Sequence, residues 1–167
     1  MAKIEILIPF VQGWEGGFVN DPLDKGGATN MGITLKTFRQ IYGAYATVEQ
    51  LKNITANQWL HIFREEYWNC WRADQIDNQS VANILVDWLW CSGNVAIKTP
   101  QSILHVKADG IVGPKTLAVL NAQNQYDLFH QIQCARLNFV DSIVKRDRSQ
   151  VRFIRGWKNR INALKFE

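Results

Sequence analysis

Glu15 is an ionisable residue standing where an apolar one is expected. With Ile4 at zero on a helical wheel of about 100° per residue, Leu7, Ile8 and Val11 cluster within about 60° and Glu15 falls about 20° away. A carboxyl that closes an apolar stripe is half-buried. Burial disfavours the charged form of a carboxyl, which suits a general acid. Residues 15–34 then pack five glycines and one proline into twenty positions. Gly16 and Gly17 end the helix and let the backbone come close to a ligand. Asn20-Asp21-Pro22 and Lys25-Gly26-Gly27 read as turns. The resulting loop carries Asn20, Asp21, Asp24, Thr29 and Asn30 directly after the acid. An acid with a second polar group nearby is what hydrolysis of a glycosidic bond requires. The competing reading is a helix frayed by Pro9 and Gly13, beginning near Ile8, with Glu15 in water.

Taken in order, Glu15-Gly16-Gly17-Phe18, Asn20-Asp21-Pro22, Asp24-Lys25-Gly26-Gly27, Thr29-Asn30 and Gly32-Ile33-Thr34 form a long motif run in register. The run resembles the glycoside hydrolase family 108 lysozymes, which include secretion activators and phage-type lysins. The resemblance implies a mainly α, lysozyme-like helical fold with a small irregular or β-hairpin loop after the catalytic glutamate. It implies an N-acetylmuramidase that cleaves the β-1,4 bond between N-acetylmuramic acid and N-acetylglucosamine in peptidoglycan, with Glu15 as the acid. Asp24, nine residues on, is similar in spacing to the Glu-x8-Asp pair of phage-type lysozymes, with Asn30 where those have threonine; Asp21 is the reserve. Phe18, three residues beyond Glu15, is expected to touch the substrate, alongside Asn20, Asp21, Thr29 and Asn30. No metal or organic cofactor is called for.

A second resemblance lies in the C-terminal half. Asp109-Gly-Ile-Val-Gly-Pro-Lys-Thr-Leu117 is similar to a pattern of small helical peptidoglycan-binding modules. Part of that pattern is structural: Asp109-Gly110 makes a turn, and Gly113-Pro114 starts a helix with proline at its first position. Upstream, residues 87–93 match an Asp-x3-Asn-x-Gly pattern of the same module except that Cys91 replaces the asparagine, so no binding role passes to Cys91. The expected organisation is a catalytic region over residues 1–90 and a peptidoglycan-binding-like region over 91–167, packed as one compact unit.

The elements that position these residues read as helices. Thr34 caps a helix through Ile41 that Gly43 ends. Thr47-Val-Glu-Gln50 and Thr55-Ala-Asn-Gln58 are capping boxes, and the second opens a helix running to about Trp71. Residues 80–91 are apolar apart from Asn83 and Asp87, as in a helix buried on most sides. Leu128, Ile132, Ala135, Phe139 and Ile143 mark a long amphipathic helix, and a last helix starts near Gln150. Tyr67, Trp68 and Trp71 cannot all face the core of one helix; Trp68 either packs inside or lines the glycan groove, with the core preferred. Asp87 must find a partner within its apolar helix, either as a structural group or at the groove, and the structural reading leads.

Composition narrows the class. The chain has 167 residues, 47% of them hydrophobic, enough for one or two small domains. No stretch reaches the roughly 18 apolar residues of a membrane span. The start Met-Ala-Lys-Ile-Glu-Ile carries an acid in its apolar run and lacks a small-residue cleavage site, unlike an ordinary signal peptide. The protein is therefore expected to be made in the cytoplasm as a monomer and to act on the wall after release, with a holin-type export partner. Cys70, Cys91 and Cys134 cannot all pair, lack metal-ligand spacing, and read as small core residues. Residues 136–167 hold nine Lys or Arg against three acids, a net +6, and the remainder is −2, giving the overall +4. A basic tail fits attraction to anionic wall polymers as well as it fits a solvated helix face. Nucleic acid is disfavoured by the absence of any motif for it and by the acidic balance around Glu15. Two other functions share these features. One is a lytic transglycosylase, which needs a single acid/base glutamate; the other is a non-catalytic wall-binding or secretion-assisting module.

Overall fold

The computed structural model describes residues 1–20 and 27–167. The described chain is mainly α-helical with one two-stranded hairpin: α1 (Ile4–Trp14), β1 (Thr29–Asn30), β2 (Ile33–Thr34), α2 (Leu35–Tyr42), α3 (Val48–Lys52), α4 (Ala56–Phe63), α5 (Gln79–Ser92), α6 (Val95–Ile103), α7 (Pro114–Ala122), α8 (Gln125–Arg146) and α9 (Val151–Ala163). Among the described residues no helix is long and apolar enough to cross a membrane. The chain forms two compact units, Glu5–Tyr67 and a second made of Met1–Ile4 with Trp68–Glu167.

In the first unit, α1 starts at Ile4 and runs through Pro9, ahead of the start near Ile8 that proline suggested. Proline there removes only the bond to the carbonyl of Glu5, a residue exposed to water that can replace it. Leu7 and Val11 are fully buried, so one apolar stripe faces inward. The Thr34 hydroxyl caps α2 through Thr37 N, and Gly43 ends the helix at φ +100°, where a Cβ would be strained. Thr47 with Gln50 and Thr55 with Gln58 both form the reciprocal capping bonds expected of them. Along α4, Trp59 stacks on Phe63 at 5.0 Å, and Phe63 on Tyr67 at 5.9 Å. Past Phe63 the coil widens into a π turn (Arg64–Trp68), then tightens into a 3₁₀ turn (Asn69–Trp71), where the sequence suggested one uninterrupted helix. Trp68 and Trp71, three residues apart, are both fully buried across that change of winding.

The second unit is built around α5. Its residues Val81, Ala82, Ile84, Leu85, Val86, Asp87 and Trp88 are all buried, and the helix packs on α6 and α8. The chain's first residues join this unit through Ala2 N to Ile76 O and a reciprocal pair between Lys3 and the Gln79 amide. By packing, therefore, α5 groups with the later helices, and the two compact units divide between Tyr67 and Trp68. The reason is that α5 has its burial partners in the later helices. The cysteines correct a sequence expectation: Cys70, Cys91 and Cys134 are all exposed, on the outward faces of their helical segments rather than in the core.

Candidate functional site

Glu15 directly follows the last residue of α1 and its backbone N donates to Gln12 O at 3.2 Å, a final turn before the chain leaves the helix. Its side chain is half-buried, while Gly16 and Gly17 beside it are exposed and have open space where a Cβ would stand. The acid thus sits at the edge of a buried stripe with bare backbone next to it. Phe18 is half-buried, and the ammonium of Lys52 lies 5.9 Å from its ring centroid, within cation–π range. Val19 exchanges two backbone bonds of 2.8 Å with Thr29, which ties the segment after Glu15 to the hairpin.

The hairpin is a two-residue connection with Met31 at φ +47° and Gly32 at φ +78°. Positive φ at both central residues gives the turn whose twist suits adjoining antiparallel strands. Methionine is strained in that region, and its carbonyl is held by Trp59 Nε1 at 3.0 Å. Asn30 supplies a second anchor. Its amide nitrogen donates to Leu51 O at 3.0 Å and Lys52 O at 2.9 Å, satisfying carbonyls at the end of α3.

These positions sort the residues singled out from the sequence. Glu15, Phe18, Asn20 and Thr29 lie in the first unit, with Asn20 exposed and Thr29 half-buried. Asp21 and Asp24 lie outside the described residues. Asn30 is only 7% exposed and spends both amide hydrogens inward, so the donor expected at the substrate braces the hairpin instead. Trp68 and Asp87 are both fully buried in the second unit. Trp68 donates from Nε1 to Asp74 Oδ1 at 2.8 Å. Asp87 takes Arg136 Nη2 on one oxygen at 2.9 Å and Arg160 Nη2 on the other at 2.8 Å. Neither side chain presents a surface to a glycan, which corrects their candidacy as groove residues. The burial of Asp87 is stable because two guanidinium groups and not water solvate it. Lys52 beside Phe18 was missed from the sequence, because nothing local links residues 34 positions apart.

The second unit also keeps the turn read from Asp109-Gly110. Asp109 Oδ1 accepts from Ile111 N at 3.0 Å and Gln101 Nε2 at 3.2 Å. Gly110 is at φ +82°, and a Cβ there would come within 2.5 Å of the Asn94 side chain. The Ile111 backbone bond, above all, holds the Asp109 carboxyl below its ordinary range, with help from Gln101 and Lys107. Pro114 then opens α7 after Gly113, as its type requires. A pocket of about 120 Å³ lies between α5, α8 and α9, lined by Trp88, Arg136, Val140, Ile143, Trp157 and Ile161 among others.

Residues 8–93 match the family described as Glycosyl hydrolase 108, and residues 95–162 match a "Predicted Peptidoglycan domain". No curated protein sequence matches the chain. Among solved structures, it is similar to SagA of Brucella abortus, at 30% identity over 96% of this chain and 94% of that one, with a TM-score of 0.78. The family's boundary at residue 93 and the packing boundary at residue 67 differ by the length of α5 and the turns before it. The mainly α, lysozyme-like fold, the glycosidase segment carrying Glu15 and the peptidoglycan segment behind it lead to one assignment: this chain belongs to glycosyl hydrolase family 108, a glycoside hydrolase acting on peptidoglycan.

Proposed function

We propose that the protein is an N-acetylmuramidase that cleaves the β-1,4 bond between N-acetylmuramic acid and N-acetylglucosamine, with Glu15 as the general acid. The observation that carries the reading is the setting of Glu15: a half-buried carboxyl at the end of a buried helix stripe, followed by exposed glycines, inside the glycosidase segment. Protonated, it donates to the glycosidic oxygen as the bond to the anomeric carbon breaks. Charge building on the sugar then needs a second carboxylate, and Asp24 is the proposed group, with Asp21 in reserve. Phe18, braced by Lys52, offers an apolar plane to a sugar ring three residues from the acid. The enzyme works on the cell wall, and a holin-type partner is the proposed route to it.

The test is Glu15→Gln, which keeps the size of the side chain and removes the proton. Wall lysis followed by turbidity should fall at least about a thousandfold, consistent with loss of general acid catalysis and its knock-on effects. A variant retaining a tenth of wild-type lysis would remove Glu15 from the role. Mass spectrometry of the products distinguishes the chemistry: reducing muramic ends support hydrolysis, whereas anhydro-muramyl ends would replace it with transglycosylation.

A further inference from the structure

The first unit has an open concavity of about 610 Å³ bounded by Gly27 and Ala28 on one side and by Leu35, Lys36, Arg39 and Gln40 of α2 on the other. We propose that this groove binds the carboxylates of the peptides that branch from the glycan, making the enzyme favour peptide-bearing strands; the inference rests on peptidoglycan glycan being the substrate.

Three observations support it. First, Lys36, Arg39 and Gln40 are exposed at spacings of three and four, so they share one face of α2. Second, only one of the two cations is placed to stabilise the helix: Arg39 lies in the last turn of α2, where the dipole favours positive charge. Lys36 stands in the first turn, where the helix dipole disfavours positive charge, and α2 contains no acid to offset either residue. Among the described residues neither Lys36 nor Arg39 forms an ion pair, and Arg39 donates from Nε to the carbonyl of Ala46 at 2.9 Å. That bond fixes the guanidinium against the α2–α3 connection and leaves its terminal nitrogens as donors for a planar carboxylate. Third, the groove is near the acid by chain connectivity. Glu15 is four residues from Val19, Val19 pairs with Thr29, and Ala28 is next in the groove wall. Chain reach alone keeps Ala28 within about 25 Å of Glu15, the span of a short glycan strand. Two cations beside an amide on one open surface, without an ion-pair partner among the described residues, match a peptide carrying several carboxylates better than they match a neutral sugar.

The experiment titrates the inactive Glu15→Gln protein with three soluble glycans: one bearing its peptides, the same strand stripped of peptides by an amidase so that only lactyl carboxylates remain, and the peptide-bearing strand with its carboxyls amidated. Turnover by the active enzyme is measured on each in parallel. The peptide-bearing strand should bind about three- to tenfold tighter than the other two, the worth of one or two exposed charge-assisted contacts. Lys36→Gln with Arg39→Gln should abolish the preference, and turnover should change in KM more than in kcat. Lys36→Gln alone, at an exposed position, should lose part of it, and Lys36→Arg should restore it. Equal tightness on the peptide-bearing and stripped strands assigns the contact to the lactyl group and overturns the proposal. So does an unchanged preference in the double variant. A wild-type enzyme that binds with the expected preference yet cleaves none of the strands would overturn the muramidase reading and leave the groove assignment standing.

Discussion

Glu15 and Asp87 are both single acids set against apolar helix stripes, and the two units use them in opposite ways. In the unit of residues 5–67, Glu15 comes after its helix has ended, half-buried, with exposed glycines on the next two positions. In the other unit Asp87 is in mid-helix, with no exposure, between Arg136 and Arg160. An acid within a stripe therefore has two stable settings. One is a helix end, where the backbone opens and the group reaches the surface. The other is a helix middle, where ionic partners must be imported from other elements. The polar residues of the first unit follow the same division, since Asn20 is exposed in the loop while Asn30 is turned inward to brace α3.

The contrast breaks most visibly at Asp87. Asp87→Ala leaves two guanidinium groups without their buried counter-charge, so stability should fall by about 3–5 kcal/mol, read by urea denaturation of the whole chain. Glu15→Gln in the same assay should cost far less, about 1 kcal/mol or under, because the amide keeps the size of a half-buried side chain at a helix end. If the two acids cost the same, the distinction between a structural and a chemical carboxylate is wrong.

A smaller effect is expected at Asn30. Asn30→Ala removes the donors to Leu51 O and Lys52 O and should cost about 2 kcal/mol, with KM for wall glycan unchanged in the folded fraction. A raised KM at unaltered stability would return Asn30 to the substrate. Next is the exposed basic surface of α9. Arg152→Gln with Arg155→Gln should weaken pelleting with whole wall about threefold at low salt and hardly at high salt. Lys158 is spared in this variant because it already pairs with Asp141 at 2.8 Å. Equal adsorption at both salts would make the face a solvated one.

The smallest effect belongs to Asp109, whose carboxyl titrates below its ordinary range because of the Ile111, Gln101 and Lys107 contacts. A group with a depressed folded pKa contributes stability that is present above the unfolded value, about 3.9, and is lost as pH falls through the folded one. Asp109→Asn should therefore be slightly less stable than wild type at neutral pH, and the gap should close below about pH 4. Thermal melts of both proteins from pH 3 to 7 measure it. A gap that stays constant across that range would mean the carboxylate charge contributes nothing to the turn.

Much of this architecture is fixed by short-range chemistry and is legible from the chain. Thr34, Thr47 and Thr55 cap their helices with hydroxyls three residues from the groups they satisfy, Gly43 ends α2, and Pro114 opens α7. The buried character of α5 and the length of α8 follow from apolar periodicity. The motif run that starts at Glu15 also identifies the family segment, because its glycines and turn residues are themselves local requirements. α6 escaped notice, since Pro100 in its last turn reads as a helix breaker, although a proline there removes a single internal bond. What the sequence left open were choices between inside and outside for single polar or aromatic residues. Asp87 finds its arginines 49 and 73 residues away, and Asn30 its carbonyls 21 and 22 residues away. Trp68 and Trp71 are both inside, across a change of helix winding between Arg64 and Trp71 that no local pattern announces. A buried polar group is stable only when a partner meets it, and a side chain's period says which way it points but never what waits there. That pairing is decided when distant helices pack, and so it belongs to the tertiary structure alone.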